Sequence, residues 1–405
     1  MIFSLLAMLT AVKFIPSFRE LRRARRQVLE RAFAPPARIV LCLRGADPYL
    51  DRCLRGLVSQ DYPNYKVIIV VDSHRDEAMR QVEGLLHDRG HDQVEVLIRD
   101  QTWPHCTRKI CSLLSGLTHV PEDVEVVAVC DADVIPHPTW LRELVAPLQD
   151  PRTVAASGNR WYAPTNLELG GMYRYFWNAL AFPTMSQNRI LWGGSLAMRG
   201  ELFRDPEYLD CMQHAFSEDT ALAGFALKRQ QQVVPILSLV ILNEETCSVR
   251  NFRGFLVRQL LAARLHHPRW RSVVAEAAVI FGLMWVLLPL SILQGWDSLK
   301  WWLLGAMIYD TIVLSTIGYC EWLIRKHVSQ HRGQVIAPYS WKRVVLSIMA
   351  LSNTGFIYTW AVIQALCAKT HEWRGIVYRI EENGVSTQYE REEYAEAVAG
   401  QCESV

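Results

Sequence analysis

Short apolar runs rich in β-branched residues alternate with helix-like stretches over the first third of the chain. The runs cover residues 39–43, 67–71, 94–98 and 126–130, and the helix-like stretches cover residues 50–59, 75–88 and 108–117. Strand-like runs that alternate with helices are typical of βαβ units. The pattern therefore predicts an α/β domain with a parallel sheet. Neither GxGxxG nor GxxxxGK[ST] occurs, so a dinucleotide fingerprint and a P-loop are not supported.

Longer apolar segments follow in the second half of the chain, and residues 273–367 are predicted to form transmembrane or interfacial helices. Residues 273–293 are long enough to span a bilayer, and residues 301–323 form a second candidate. The second segment contains Asp310, which we expect to face a neighbouring helix, and Glu321, which we expect at the membrane interface.

The third apolar segment, residues 344–366, has a polar interruption at 352–355 and basic residues on both sides. Basic flanks at both ends conflict with one simple crossing, because basic loops stay in the cytoplasm. We therefore predict a re-entrant or interfacial hairpin that bends at residues 353–355.

The chain starts with another apolar segment, residues 1–18, which contains Lys13 and Pro16. It is short for a spanning helix of about 20 residues, so we predict a membrane anchor or an interfacial helix. Five basic residues follow it, namely Arg19, Arg22, Arg23, Arg25 and Arg26. Such a cluster is expected on the cytoplasmic side.

Composition agrees with a soluble domain joined to a few membrane segments. Hydrophobic residues make up 50% of the 405 residues, and the net charge of +2 indicates no nucleic-acid partner. The ten cysteines include no CxxC, which predicts free thiols in a reducing compartment. In the soluble tail, residues 370–405, strand-like runs at 376–380 and 385–389 flank Asn383-Gly384, a hairpin signal, and residues 390–399 predict a short acidic helix.

Two carboxylates follow the strand-like run at 126–130. Asp131 and Asp133 are one residue apart, and the carboxyl ends of strands are where open α/β sheets bind ligands. Paired aspartates suit Mg²⁺ or Mn²⁺ held together with a substrate diphosphate. The alternative is an aspartate that caps a turn, with Pro136 and Pro138 ending the strand.

Other polar positions ahead of the membrane segments could act with this pair. Asp72 ends the run at 67–71 and could accept from a nucleobase N–H, or it could cap the next turn. Lys109 near the start of a helix suits a phosphate, although a solvated lysine is the simpler interpretation. Asp219, next to Glu218, is a candidate general base or part of a helix N-cap. Gly193 and Gly194 could let the backbone approach a sugar, or they could form an ordinary turn.

The order of these pieces resembles membrane-bound family-2 and ceramide-glucosyltransferase-like glycosyltransferases. The resembling segments are LRGADPYL and QDYPNYKV within residues 41–73, then CDADVIPHP, WGGSLAMRGELF, SEDTAL and, in the tail, HEWRGIVYRI. The resemblance implies a cytoplasmic GT-A domain, Rossmann-like in its sheet, over residues 38–270. It also implies an inverting transfer from a nucleotide-sugar.

The resemblance also implies roles for single residues. Asp72 would contact the uracil end of a UDP-sugar, with Arg44 near the nucleotide and Lys109 by the uridine or diphosphate. Asp131 and Asp133 would hold the nucleotide and its Mg²⁺ or Mn²⁺, with Asp133 the more direct ligand. Asp219 would act as the base beside Glu218.

One family motif, [QR]xxRW after the base, is incomplete in this chain. Arg258 and Gln259 fit by position but lack the RW, whereas HHPRW at 266–270 supplies Arg269 and Trp270 without the leading residue. Arg269 could reach a diphosphate, and Trp270 could stack on an acceptor or anchor at the membrane interface. The departure bears on acceptor binding and processivity more than on the donor.

The sequence thus predicts a multi-pass enzyme of the cytoplasmic membrane that transfers a hexose, with glucose preferred, from a UDP-sugar to a lipid hydroxyl. The predicted catalytic domain leads almost directly into the first C-terminal membrane segment, so we expect its active site close to the membrane, which favours a lipid acceptor. A processive polysaccharide synthase and a non-catalytic subunit that binds nucleotide-sugar are the alternatives.

Overall fold

A seven-stranded mixed sheet forms the centre of the soluble domain. The structure, a computed structural model, describes residues 2–24, 33–89, 92–166, 168–332, 336, 338, 340–381 and 384–390. The strands are β1 (Ala37–Leu43), β2 (Tyr65–Val71), β3 (Val94–Ile98), β4 (Val126–Cys130), β5 (Thr153–Tyr162), β6 (Ser195–Arg199) and β7 (Gln232–Asn243), in the order β3-β2-β1-β4-β6-β5-β7. This sheet confirms the predicted α/β class.

Helices surround the sheet and continue into the apolar half of the chain. They are α1 (Ile2–Ala24), α2 (Leu50–Leu57), α3 (Ala78–Arg89), α4 (Arg108–Thr118), α5 (Trp140–Val145), α6 (Leu169–Asn188), α7 (Gly200–Phe203), α8 (Pro206–Gln213), α9 (Glu218–Lys228), α10 (Val249–His266), α11 (Trp270–Phe281), α12 (Leu288–Leu293), α13 (Trp296–Arg332) and α14 (Trp341–Cys367). A π-helical stretch, Gly282–Leu287, joins α11 to α12.

The register of the sheet brings the carboxyl ends of three strands to one edge. In the parallel pairs of β1, Leu43 lies opposite Val71 and Leu41 lies opposite Cys130. The residues that follow these strands therefore gather at the same edge. The predicted parallel sheet is only part of the architecture, however, because β6 runs antiparallel to both β4 and β5.

Four helices among the described residues are long and apolar enough to cross a membrane: Ile2–Arg23, Trp270–Leu293, Trp296–Arg332 and Trp341–Cys367. Large exposed apolar side chains lie along all four, including Leu5, Trp285, Met307 and Ile348. Such contiguous exposure is typical of a surface that contacts lipid. The N-terminal helix is longer than the predicted segment 1–18 and continues through Pro16 to Ala24.

The predicted hairpin at residues 353–355 is wrong, because α14 continues through this stretch without a break. Its polar side chains bond within the helix: Ser352 Oγ donates to the Ile348 carbonyl at 3.0 Å and Asn353 Nδ2 to the Met349 carbonyl at 2.8 Å. Since these groups are satisfied by carbonyls one turn back, they do not require a bend. A Cβ on Gly355 would lie 3.0 Å from Met284, so the glycine lets α14 pack closely on the π-helical stretch.

The two acids of α13 occupy different surroundings. Asp310 faces a neighbouring helix as expected, because Ser352 Oγ donates to its Oδ2 at 2.6 Å. Glu321, predicted at the membrane interface, is fully buried within the protein. Its Oε1 pairs with Arg325 at 2.6 Å, and Tyr175 of α6 donates to its Oε2.

A second, three-stranded antiparallel sheet follows the last apolar helix, with β8 (Thr370–Trp373), β9 (Ile376–Glu381) and β10 (Gly384–Glu390) in the order β10-β9-β8. It confirms the predicted hairpin of the tail. The predicted helix at 390–399 lies outside the described residues. Ile376, Tyr378 and Val385 of this C-terminal sheet share a small core with Phe216 and Leu261 of the main domain. The sheet therefore packs beside the segment that contains Asp219.

Candidate active site

Asp72 follows β2 and lies within a group of arginines at the edge of the sheet. The carboxylate is buried; Arg44 Nη1 donates to its Oδ2 and Arg99 Nε to its Oδ1 at 2.8 Å. Arg108 Nε lies 3.9 Å from the same Oδ1. Arg44 was predicted here, whereas Arg99 and Arg108 were not. The predicted nucleobase contact of Asp72 stays a prediction, and the structure shows a carboxylate held in place by cations.

Lys109 connects two acids that are far apart in sequence. Its Nζ lies 2.5 Å from Asp131 Oδ1 and 2.5 Å from Glu218 Oε1. Burial lowers the pKa of the Lys109 ammonium, but the two carboxylates outweigh this effect, so its pKa lies above the ordinary value. Burial also raises the pKa of Glu218, although the charge of Lys109 opposes that rise. Lys109 therefore joins the DxD turn to the start of α9.

Asp133 has the properties of a metal ligand. Within the described part of the chain its Oδ1 is buried without a hydrogen-bond partner, while Asn243 Nδ2 lies 3.4 Å from its Oδ2. Burial and the charge of Asp131 raise the pKa of Asp133 to about 7. No group of three or more His, Cys, Asp or Glu side chains that could hold a metal occurs among the described residues. Asp131 and Asp133 are too few ligands for Mg²⁺ or Mn²⁺ by themselves, so a cation held here would take its other oxygens from a bound diphosphate.

Asp219 lies in the first turn of α9, with both carboxylate oxygens oriented by hydrogen bonds. The Gly193 N–H donates to Oδ2 at 2.8 Å, and Ser217 Oγ and the Thr220 N–H donate to Oδ1 at 2.5 and 2.6 Å. Gly193 precedes β6, so the segment predicted to approach a sugar in fact holds the predicted base. A carboxylate fixed in this way can accept a proton at a defined point.

Gly193→Ala is expected to lower activity at least tenfold, a conservative estimate for a displaced acid–base group. A Cβ at this position would lie 2.0 Å from Glu218 Oε1, and Glu218 has little freedom to move because it is tied to Lys109. The initial rate of sugar transfer checks this prediction. Gly254→Ala in α10 is the control, since nothing lies within 4 Å of its new Cβ. Equal rates for the two variants would contradict the assignment.

Two cavities meet at Asp219. The smaller one, the donor cavity, has a volume of about 90 Å³ and is lined by Lys109, Asp131 and Glu218, with Trp373 and Tyr378 of the C-terminal sheet. The larger one, the membrane cavity, has a volume of about 1370 Å³ and runs between α1, α6, α11, α13 and α14. The walls of both cavities include Arg160, Trp192, Asp219, Gln259 and Ala262.

The structure shows which residues of the incomplete [QR]xxRW motif reach the site. Arg258 and Gln259 both line the donor cavity, whereas Arg269 and Trp270 are absent from the described walls of either cavity. Arg269 Nη1 donates to Asn188 Oδ1 at 2.7 Å, and Trp270 packs among the apolar residues at the start of α11. The structure therefore brings only the first half of the predicted motif to the site.

The C-terminal sheet covers the donor cavity from the outside. Arg44 Nε donates to the Arg374 carbonyl at 3.2 Å, and the Arg108 N–H donates to Tyr378 Oη at 3.0 Å. His371 and Trp373 complete the wall. The sequence predicted the hairpin of this tail and its family resemblance but not its contact with the site, because nothing local connects it to residues so far back in the chain.

Acidification is expected to destabilise the fold through two buried histidines. His266 Nε2 accepts from the Phe216 N–H at 2.8 Å, and His371 packs its ring against Phe216. Burial lowers the pKa of His266 to about 4 and of His371 to about 3, from an ordinary value of 6.5. The unfolded chain therefore binds more protons than the folded one below pH about 6.5, so stability falls as the pH drops.

Each histidine contributes on the order of 3 kcal/mol to this loss of unfolding free energy when the pH approaches the pKa of that histidine in the folded protein. The measurement is the thermal unfolding temperature of detergent-solubilised protein between pH 7 and pH 4. His371→Gln should show a shallower decline, because glutamine does not titrate. A decline as steep as that of the wild type would contradict the role of His371.

Comparison with known proteins decides the family. The model of glycosyl transferase family 21 matches residues 3–386. The chain belongs to glycosyl transferase family 21. This confirms the predicted glycosyltransferase resemblance and, with the observed sheet, the GT-A class that it implied. The match is to family 21, and the family-2 part of the resemblance stays a prediction.

Proteins that are similar to this family-21 chain match different shares of its length. A ceramide glucosyltransferase from Komagataella phaffii is 32% identical over 62 residues, which is 15% of this chain and 12% of that protein. A mannosyltransferase structure from Pyrobaculum calidifontis, in complex with GDP-mannose and Mn²⁺, is 15% identical with a TM-score of 0.49, covering 90% of this chain and 99% of its own.

A glucosyl-3-phosphoglycerate synthase from Mycobacterium tuberculosis is also similar in structure. It was solved with Mn²⁺, uridine diphosphate and glucosyl-3-phosphoglycerate, and it is 14% identical with a TM-score of 0.38 over 58% of this chain and 82% of its own.

Proposed function

We propose that this protein is a membrane-bound inverting glycosyltransferase that moves a hexose, preferably glucose, from a UDP-sugar to the hydroxyl of a lipid. The observation that carries the proposal is the position of Asp219 in the walls of both cavities. One cavity has Asp131 of the DxD pair in its wall, and the other lies between apolar helices. A base at their junction suits a reaction between a nucleotide-bound sugar and a membrane-bound alcohol.

The membrane cavity supports a lipid acceptor. Its volume of about 1370 Å³ exceeds the range of roughly 300–1,000 Å³ found for small-molecule pockets. Its wall is mostly apolar, with side chains such as Leu6, Leu283, Met307 and Leu351. A processive polysaccharide synthase needs a channel for a polar chain, which this wall does not favour. The partial likeness to a ceramide glucosyltransferase supports a lipid acceptor and glucose as the sugar.

The donor cavity is narrow. At about 90 Å³ it is smaller than the roughly 300 Å³ lower bound of ligand pockets. Donor binding would therefore need side chains that line the cavity to move apart. The uridine would lie toward Asp72 and the sugar toward Gly193. A bound divalent cation, held by Asp133 and Asp131, would offset the negative charge of the diphosphate.

The chemical step needs one base and one displacement. Asp219 takes the proton from the acceptor hydroxyl, whose oxygen forms the new bond to the anomeric carbon. The bond from that carbon to the phosphate oxygen breaks, and its electron pair leaves with the nucleoside diphosphate. A single displacement inverts the anomeric configuration. Glu218, already paired with Lys109, keeps that lysine and the DxD turn in register with the base.

The basic end of α1 supports one orientation of the protein in the membrane. Arg19, Arg22 and Arg23 lie in its last turns, which supports a cytoplasmic catalytic domain.

The test is an incubation of purified protein in lipid nanodiscs with radiolabelled UDP-sugars and a total lipid extract. Mass spectrometry should identify a lipid that carries one hexose. A water-soluble polymer would overturn the lipid acceptor, and the absence of any transferred sugar or released UDP would overturn the enzyme assignment.

A further inference from the structure

Arg160, near the end of β5, is a buried cation in the wall between the two cavities. Its side chain is only 10% exposed. The guanidinium lies over three aromatic rings, with its central carbon 4.9 Å from the centroid of Tyr162, 5.1 Å from Trp192 and 5.3 Å from Phe255. These rings fix its place and attract positive charge, so Arg160 is oriented without occupying its hydrogen-bond donors.

Arg160 has only a distant carboxylate partner among the described residues. The nearest carboxylate oxygen, Asp133 Oδ2, is 3.9 Å from Nη1, and Nε has no hydrogen-bond partner within the described part of the chain. Arg258 lines the same donor cavity. Burial and the charge of Arg160 lower the pKa of Arg258, and the charges of Asp131 and Asp133 oppose that change. The unpaired donor of Arg160, next to a second guanidinium group, favours the binding of an anion.

The other cations of the site already have carboxylate partners. Lys109 lies between Asp131 and Glu218 at 2.5 Å from each. Arg99 is paired with Asp72 at 2.8 Å. Unlike these cations, Arg160 has no close carboxylate partner among the described residues, and its planar fork has a donor left over that matches an oxygen of a phosphate.

We propose that Arg160, together with Arg258, binds the sugar-linked phosphate of the nucleoside diphosphate donor. The inference rests on the proposed function and assigns one more residue to it. The sugar-linked phosphate gains negative charge when its bond to the anomeric carbon breaks. A fixed cation between the DxD carboxylates and Asp219 is positioned to stabilise that charge. Arg160 therefore distinguishes a nucleoside diphosphate from a monophosphate, which lacks this group.

The experiment compares the binding of uridine diphosphate and uridine monophosphate to the full-length protein in detergent, by calorimetry, with Mn²⁺ and with a chelator. Arg160→Met removes the charge, and Arg160→Lys keeps it without the fork. Arg253→Met is the matched control, because Arg253 also lies over an aromatic ring, 3.8 Å from the centroid of Trp360, and lines neither cavity among the described residues.

Arg160→Met is expected to weaken diphosphate binding at least tenfold with or without Mn²⁺, and to change monophosphate binding less than about twofold, since a charge-assisted hydrogen bond discriminates by roughly that factor. Arg160→Lys should fall between Arg160→Met and the wild type, and it serves as the test if Arg160→Met does not fold. An equal loss for both nucleotides, or no loss for either, would overturn the inference. A wild-type protein that binds neither nucleotide would instead refute the proposed function.

Discussion

Asp219→Asn is expected to lower the rate of sugar transfer by about 10²- to 10⁴-fold, the range found for a general base. The amide keeps the size of the side chain but cannot take a proton from the acceptor hydroxyl. The amide has one oxygen, so it can accept from the Gly193 N–H or from Ser217 and Thr220, but not from both sides. The measurement is the initial rate of UDP release in nanodiscs that contain the lipid acceptor.

The control for this variant is Asp205→Asn. Asp205 caps α8 and accepts from the Glu207 N–H at 2.9 Å, away from both cavities. Nucleotide affinity should stay unchanged in Asp219→Asn, because the base faces the acceptor. A variant that transfers sugar at the wild-type rate would refute the role of Asp219, and lost nucleotide binding would point to a misplaced α9.

Asp133→Ala is expected to abolish transfer that depends on Mn²⁺ or Mg²⁺, with a rate loss of at least about 10³-fold, corresponding to some 4 kcal/mol of barrier. The structure gives the reason: Asp133 Oδ1 is buried without a partner among the described residues. A carboxylate in that state is costly unless something binds to it. The measurement is the rate of transfer as a function of metal concentration.

Asp133→Asn separates charge from shape, because it retains a carbonyl oxygen near Asn243 but loses the negative charge. We expect it to require more metal for half-maximal rate and to keep a small activity. Mn²⁺-dependent binding of uridine diphosphate gives a second readout. An Asp133→Ala enzyme with full activity at ordinary metal concentrations would remove the DxD from the assignment.

Local pattern was sufficient for the half of the site that follows parallel strands. Asp72 and Asp131 come directly after buried apolar runs, and parallel strands end at a common edge, so their proximity follows from the sequence. Asp219 was found by resemblance and is held by Gly193. Among the strands that the pattern missed, β5 has no alternation: all ten of its residues are buried, and many of them are small or polar.

Arg160 illustrates why the remaining site residues could not be predicted from the sequence. It lies in that missed strand, and its importance depends on Trp192, Phe255 and Asp133, which belong to other elements. The hairpin error in α14 has a related cause. Ser352, Asn353 and Thr354 look like a turn in sequence, but the helix itself supplies acceptors for their side chains. Such outcomes depend on tertiary surroundings that a linear pattern does not contain.

The membrane cavity has a consequence for how the rate depends on acceptor supply. Because it lies between helices with exposed apolar side chains, the proposed lipid acceptor would reach Asp219 by lateral diffusion within the bilayer. The relevant quantity is then the mole fraction of acceptor among the lipids. Diluting vesicles of fixed composition should leave the turnover per enzyme unchanged at saturating donor, whereas diluting the acceptor with inert lipid should lower it. The donor is thus measured as a concentration in water, and the acceptor as a mole fraction of the lipids.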